Sequence, residues 1–425
     1  MAANYKPMEG QPVAANKQMA LRGKKIWMLL YQPTPAYLPP MYHEAISLAA
    51  DGAEVTAMCW RTDPAAPAED RVGERFVVQY FLFRSLRFFE RRYGLSPSGL
   101  FQSAIQYLTT YAEFVLRGIG AGLRARADLY EAHDLPALLP TAIAAMLHRR
   151  PLIYNAHELY PEMHARVKFS SIWKFLERCL VPRAAAVVTP EPNRSAIYAR
   201  EYGARVTPLT VLNCPPYRKP LESSKIGDML RERGVSFQTI ALYQGLFDPS
   251  RCISELVEAA GALSKGVVLV LVGGGFGKWT DPQSAIGNRE NVVVLPRVQY
   301  ADLPAFTASA DIGVFFYRND CRNNYYCAPN KVHEYMMMGL PMVTVNYPGM
   351  RTIVEEGGIG LCVDPEKPAA IAGAINALAG DKERYAAMKA RCLELARSRY
   401  NWENEYERIR QAYANLLNGV RDPQR

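Results

Sequence analysis

The sequence predicts two doubly wound, Rossmann-like α/β domains that face each other across a cleft, and three observations carry that reading. Short apolar runs alternate with helix-patterned stretches, the pattern of parallel strands joined by crossing helices. The alternation lapses once, over residues 213–236, where Pro, Ser and charge dominate, and then restarts. At 425 residues the chain is also long enough for two cores.

Residues 1–21 lack an apolar core region and read as a disordered lead-in rather than a secretory signal. Residues 24–31 (KKIWMLLY) are continuously apolar, as strands covered on both faces are. Helix 41–50 and strands 54–59 and 75–82 follow, and Ser96-Pro97 opens a helix through 117. Strand 128–132, helix 135–148, strand 152–155, helix 171–180, strand 185–189, helix 191–202 and strand 208–212 complete a first domain, 22–212. After the expected linker at 213–236, a second domain spans 237–400. Its strands are expected at 239–244, 267–272, 291–295, 311–316, 342–345 and 360–363. Its helices are expected at 251–263 and 301–308, just after Pro329, and at 368–378. Residues 382–418 read as helical, with 401–425 as a closing helix. Ligands of such sheets bind at the carboxyl ends of the strands.

Composition is that of an ordinary soluble protein, 49% hydrophobic and 21% charged, with no apolar run of transmembrane length. The eight Cys residues are scattered without CxxC or CxxH spacing, which points to reduced thiols in a cytoplasm. Net charge is +9, most of it before residue 213, and residues 76–127 mix seven Arg with aromatic and aliphatic side chains. Such a balance suits an anionic substrate or an anionic membrane surface. No recognised nucleic-acid motif accompanies the charge, so nucleic acid is not an expected partner. The Arg/aromatic stretch fits either an interfacial membrane segment or a core helix with a solvated basic face.

The richest stretch is NNYYCAPNKVHEYMMMGLPMVT, residues 323–344. Pro329 disfavours helix at Ala328, so the helix begins just after it. Asn330 and Lys331 then lie in the first turn, where free N–H groups and the positive dipole end attract an anion. Glu334 falls three residues on, on the same face. Cation, amide donors and carboxylate together would suit a diphosphate and sugar hydroxyls; an isolated KxxE is more often a solvated Lys–Glu pair, and it is the setting that favours the binding role. In YQGLFDPSR, Gly245 permits backbone approach to a phosphate and Arg251, at a helix start, can form a paired fork on its oxygens, unless it is simply a surface Arg.

VGGGFGKW, residues 272–279, is neither a P-loop nor a dinucleotide fingerprint: Val272, Lys278 and Trp279 occupy positions those motifs reserve for Gly, Gly and Ser/Thr. A glycine-rich turn around Gly274 still allows close ligand approach, as it does a plain tight turn. In the first domain, His133-Asp134 and His157-Glu158 each follow a strand, at the functional rim of this architecture. Histidine there can bind hydroxyls or phosphate, move protons, or be a hydrogen-bonded structural residue.

With these residues in view, the second half resembles the nucleotide-sugar-binding domain of GT-B glycosyltransferases, specifically the retaining family 4 type (glycosyl transferases group 1). The landmarks run in order as YQGLFDPSR, VLVLVGGG, NVVVLPRV, ADIGVFFY, APNKVHEYMMMGLPMV, GGIGLCVDPEKP and NWENEYERIRQAYANLL. The resemblance implies that Glu334 binds the donor ribose and that Arg251, after the Gly245 loop, holds the donor diphosphate. Lys331 adds a phosphate or sugar contact. Arg297 and Val298 border the base, and His157 lines the reacting centre with the acceptor side around His133, Asp134 and Glu158. The final helix would cross back to the first domain. Three positions depart from the pattern: Tyr326 where a glutamate is usual, Leu246 after Gly245, and QPTPAYLPP after the first strand.

What this implies is a retaining glycosyltransferase without metal or other cofactor. It would move a sugar from a nucleoside-diphosphate sugar to a glycan or lipid-linked acceptor, in the cytoplasm or peripherally at the inner membrane face. The chain lacks an obvious DxD metal site. A nucleotide-sugar epimerase on the same fold, or a sugar-nucleotide-binding scaffold that has lost catalysis, are the competing readings.

Overall fold

A computed structural model of the chain describes residues 21–35, 38–61, 63–93, 104–163, 167, 169–275, 286–287 and 289–418. Described residues up to 212, together with those from 405 on, form one compact unit; residues 213–404 form the other.

The first unit is built on eight strands: β1 (Lys25–Leu30), β2 (Glu54–Arg61), β3 (Glu69–Val72), β4 (Phe76–Leu82), β5 (Leu129–His133), β6 (Leu152–Asn155), β7 (Ala186–Thr189) and β8 (Leu209–Thr210). They lie in the order β3-β4-β2-β1-β5-β6-β7-β8. Every pairing is parallel except β3 with β4. The order reverses between β1 and β5, which places Leu30 beside His133 at the strands' carboxyl ends. Inner strands are buried on both faces, so β1 reads as an apolar run, whereas β5 (LYEAH) and β6 (LIYN) bring Glu131, His133 and Asn155 into the interior. Helix Ala104–Ala125 sits close to the sheet and to helix Leu135–His148 because Gly118 and Gly122 face Pro140, Ala144 and Trp27. A Cβ on Gly122 would lie 2.7 Å from that of Ala144.

The second unit carries β9 (Thr239–Phe247), β10 (Val267–Gly275), β11 (Val292–Leu295), β12 (Ile312–Val314), β13 (Met342–Val345) and β14 (Gly360–Val363), in the order β11-β10-β9-β12-β13-β14. All are parallel, and the order reverses between β9 and β12. Both units are thus doubly wound α/β sheets.

Several elements differ from expectation. β3, with sequence EDRV and three charged residues, has no apolar alternation to announce it and exists as an antiparallel edge on β4. Helix Arg84–Tyr93 lies within the Arg/aromatic stretch, and helix Ala104–Ala125 follows it; the expected start at Ser96-Pro97 lies outside the described residues. Residues 213–236 group with the second unit, and include helix Lys225–Glu232. That helix buries Ile226 and Leu230, and the Ile226 N–H donates to Ser309 Oγ at 2.8 Å. The glycines expected in a turn extend a strand instead: Gly273–Gly275 pair in register with Gly245–Phe247. Lys278 and Trp279 lie outside the described residues, as do residues 1–20.

The terminal helical region is two helices, Lys382–Ser398 and Trp402–Leu417. The second contributes Trp402 to one unit, where its N–H donates to Pro215 O at 3.0 Å, and from Glu405 onward belongs to the other. There Tyr406 donates to Asp51 Oδ2 at 2.8 Å, and Lys24 Nζ reaches Leu417 O at 3.4 Å.

Candidate active site

In the second unit the site grows from the end of β9 and the start of helix Asn330–Met337. Pro329, extended at φ −73° and ψ 140°, precedes the helix and provides no side-chain cap, so the first-turn N–H groups keep their donor capacity. Asn330 and Lys331 occupy that turn. Gly245 adopts φ +135°, and a Cβ there would lie 2.9 Å from Lys331 Cε and 3.0 Å from Nζ. The missing side chain is therefore what lets the ammonium lie against the β9 backbone. Neighbouring Gly273, at φ +155°, admits the Gly245 carbonyl: a Cβ would meet that oxygen at 1.9 Å.

Lys331 Nζ sits 5.7 Å from the centre of the Tyr243 ring. Burial and the nearby Arg251 guanidinium lower its amine to about 8, with Glu334 acting in the opposite sense. Arg251 lies 4.0 Å over the Tyr317 ring, and its Nη1 donates to Asn324 Oδ1 at 3.4 Å. It ends a tight turn, Pro249–Arg251, which Asp248 caps by accepting from Ser250 N–H; Cys252, at φ +51°, separates that turn from helix Ile253–Ala259. The helix expected from Arg251 thus begins two residues later.

Glu334 accepts from Gln244 Nε2 at 2.8 Å, and burial raises its carboxyl against the pull of Lys331 and Gln244. Gln244 is itself anchored, since its Oε1 accepts from Thr307 Oγ1 at 2.8 Å. Arg297 is exposed, and its Cγ and Cδ lie 3.9 Å from where a Cβ on Gly274 would sit; Val298 follows it, half-buried. Tyr326 closes the short helix Arg322–Tyr325, its ring 4.9 Å from that of Tyr325. Gly245, Arg251, Lys331 and Glu334 therefore converge at one corner, and Gly274 and Arg297 adjoin each other. Two cations held close together in a half-buried corner, beside the uncapped start of a helix, suit an anion of more than one charge.

In the first unit, His133 Nδ1 and His157 Nε2 are 3.0 Å apart, with the rings inclined by 15°. Both imidazoles are buried. Burial and the Arg194 guanidinium push His157 down to about 3; burial and His157 push His133 lower than usual. Asp134, at φ 62°, turns its carboxylate to the loop after β6 and accepts from Glu158 N–H at 3.1 Å. Burial lifts that carboxyl to about 7. Glu158 is partly exposed and pairs with Arg194 at 3.2 Å, while Arg194 Nη1 donates to His157 O at 2.5 Å. Of the first-domain candidates, then, the histidines form a pair and Asp134 shapes the loop that presents them.

Sequence reasoning missed Gln244, Arg194 and a buried group below the histidines: Glu44, Glu131, Asn155 and Tyr413. Glu44, Glu131 and His133 bring carboxylate and imidazole atoms within 4.8 Å of one another. Asn155 and Tyr413 already serve those carboxylates as donors.

Comparison with known proteins agrees with this geometry. Residues 238–381 match the family described as glycosyl transferases group 1, and residues 41–215 the glycosyl transferase 4-like domain. The chain belongs to the group 1 glycosyltransferases, sugar-transferring enzymes of the GT-B fold. One relative is alpha-D-kanosaminyltransferase of Streptomyces kanamyceticus, 22% identical over 358 residues, which are 80% of this chain and 89% of the relative. Among solved structures, sucrose-phosphate synthase from Thermosynechococcus elongatus aligns with a TM-score of 0.71 at 19% identity, over 93% of this chain and 100% of the other. Anabaena HepE in complex with UDP and glucose aligns at 0.66 and 18%, over 92% and 100%.

Proposed function

We propose that this glycosyltransferase is retaining and metal-independent, and that it moves a sugar from a nucleoside-diphosphate sugar to a glycan or lipid-linked acceptor in polysaccharide assembly. The observation that carries the reading is the paired cationic corner, with Lys331 against Gly245 and Arg251 beside it. HepE, in its complex with UDP and glucose, supports the choice of donor class.

As the bond from the anomeric carbon to the diphosphate oxygen breaks, negative charge grows on the leaving phosphate. Arg251, Lys331 and the first-turn amides of helix Asn330–Met337 stabilise that charge from fixed positions, a task that other enzymes give to a divalent ion. Glu334, held by Gln244, accepts from the donor ribose hydroxyls; Arg297, Val298 and Gly274 border the base. His157 meets a sugar hydroxyl as a neutral imidazole. Attack by the acceptor hydroxyl on the face the phosphate leaves retains the anomeric configuration, and the hydroxyl proton passes to the departing phosphate oxygen.

Membrane association is part of the proposal. No helix of the described residues is long and apolar enough to cross a bilayer. On the first unit Ile105, Leu116, Ile172 and Phe175 are 73, 71, 64 and 69% exposed, on helices of a unit rich in Arg. Such a surface supports peripheral docking on anionic lipid at the cytoplasmic face.

The deciding experiment incubates the protein with a panel of nucleoside-diphosphate sugars and glycan or lipid-linked acceptors, with and without chelator, and reads the product anomer by NMR. Transfer with retained configuration in chelator is expected. An inverted anomer, or activity abolished by chelator and restored by a divalent ion, would overturn retention or metal independence respectively. An epimerised donor without acceptor would indicate the epimerase instead.

A further inference from the structure

We infer that Glu131 is a positioning residue for sugar transfer: acting through His133, it fixes which nitrogen of His157 carries the proton. Its role in transfer rests on the function proposed above; the proton placement does not.

Beside His133 lies a closed ring of hydrogen bonds. Asn155 Nδ2 donates to Glu44 Oε2 at 3.2 Å and to Glu131 Oε1 at 3.4 Å. Tyr413 Oη lies 3.0 Å from Glu44 Oε1 and also bonds Glu131 Oε2. Glu131 and Tyr413 are fully buried, Glu44 and Asn155 nearly so. The amide supplies two hydrogens and the phenol one, so the fourth contact needs a hydrogen from a carboxyl. One carboxyl is therefore protonated and the other carries charge. Burial raises both carboxyls. Of the two, Glu131 is the one with an imidazole nitrogen at ion-pair distance, 3.6 Å, where an N–H can face a negative oxygen, so the charge settles on Glu131 and the hydrogen on Glu44.

That charge faces an imidazole. His133 Nε2 lies 3.6 Å from Glu131 Oε1, is wholly buried, and has no hydrogen-bond partner. On the far side of the ring, the 3.0 Å separation of His133 Nδ1 from His157 Nε2 holds a single hydrogen. Were it on His133 Nδ1, the neutral ring would aim a bare Nε2 lone pair at a buried carboxylate. With it on His157 Nε2, His133 turns an N–H toward the negative charge. The second arrangement wins on electrostatics at short range in a dry interior. His157 is then the Nε2–H tautomer, and Nδ1 is its only acceptor for a substrate hydroxyl.

The test is 15N NMR of the full chain labelled at its six histidines, assigned with single His→Gln variants. At pH 7, His133 and His157 are expected to be protonated at Nε2 and bare at Nδ1. A His157 protonated at Nδ1, or an imidazolium at either position, would overturn the inference. Glu131→Gln removes the charge; His157 should shift toward a tautomer mixture, with turnover lowered roughly tenfold and donor KM unchanged. Glu44→Gln reproduces the protonated acid and should leave the tautomer in place. An unchanged His157 spectrum in folded Glu131→Gln would refute the relay. If Glu131→Gln fails to fold, the parent spectrum still decides. Absence of transfer with every donor, alongside the expected tautomers, would end the functional reading and leave the proton placement standing.

Discussion

Lys331→Met should make the protein more stable and a poorer binder of nucleoside diphosphate at the same time. Burial and Arg251 hold the Lys331 amine at about 8, against an ordinary value of 10.5. At about 1.4 kcal/mol for each pH unit, keeping that group cationic at pH 7 costs the folded state about 3 kcal/mol. The side chain is partly solvated and Glu334 would lose its neighbouring cation, so a net gain of about 1–2 kcal/mol is the reasonable expectation for Met. The sign over pH follows. The folded amine releases its proton near 8 and the unfolded one near 10.5, so between those values the unfolded chain binds more protons and stability climbs with rising pH. Urea denaturation at pH 7 and pH 10 reads both effects: the parent should gain stability across that range more than the Met variant does. Calorimetry with nucleoside diphosphates should show affinity reduced by about 1.5–3 kcal/mol, the worth of a charge-assisted hydrogen bond. A Met variant less stable than the parent at pH 7, or one that binds diphosphate as well, would refute the reasoning.

Gly245→Ala places a methyl 2.9 Å from Lys331 Cε at φ +135°, so donor affinity should fall roughly tenfold or more in calorimetry, with destabilisation of about 1 kcal/mol or above in urea. Arg251→Ala should weaken diphosphate binding by about 1.5–3 kcal/mol, and Arg251→Lys should restore little, because an ammonium offers no paired fork. Tyr413→Phe leaves the Glu44–Glu131 ring without its phenol and should cost about 1–3 kcal/mol in denaturant titrations. Flotation with anionic vesicles should recover the protein at low salt and lose it as salt rises; equal recovery with neutral lipid would remove electrostatic docking from the proposal.

Elements bounded by strong punctuation were legible in the sequence. Helix Leu135–His148 and strands β6, β13 and β14 fall on the expected residues, since Pro or Gly flanks a continuous apolar run in each. The cluster of Gly245, Lys331 and Glu334 was legible for a related reason: strand ends and helix starts put particular residues at a rim. What stayed hidden depends on pairing over long separations. Asn155 meets Glu44 across 111 residues and Tyr413 meets it across 369, and nothing local marks any of the three. Likewise Arg194 reads as a helix surface residue until its guanidinium is seen beneath His157. Edge strand β3 is specified by its neighbour β4 rather than by its own residues.

The closing helix has a consequence for how the molecule is made. The unit translated first buries two adjacent acids, Glu44 and Glu131, whose phenolic partner, Tyr413, comes 282 residues after Glu131. While a ribosome still holds Tyr413, that unit has an unmet polar hole in its interior. The opening unit therefore reaches its final packing only after the whole second unit has been synthesised, and a nonsense codon ahead of Tyr413 would damage a sheet encoded hundreds of residues earlier.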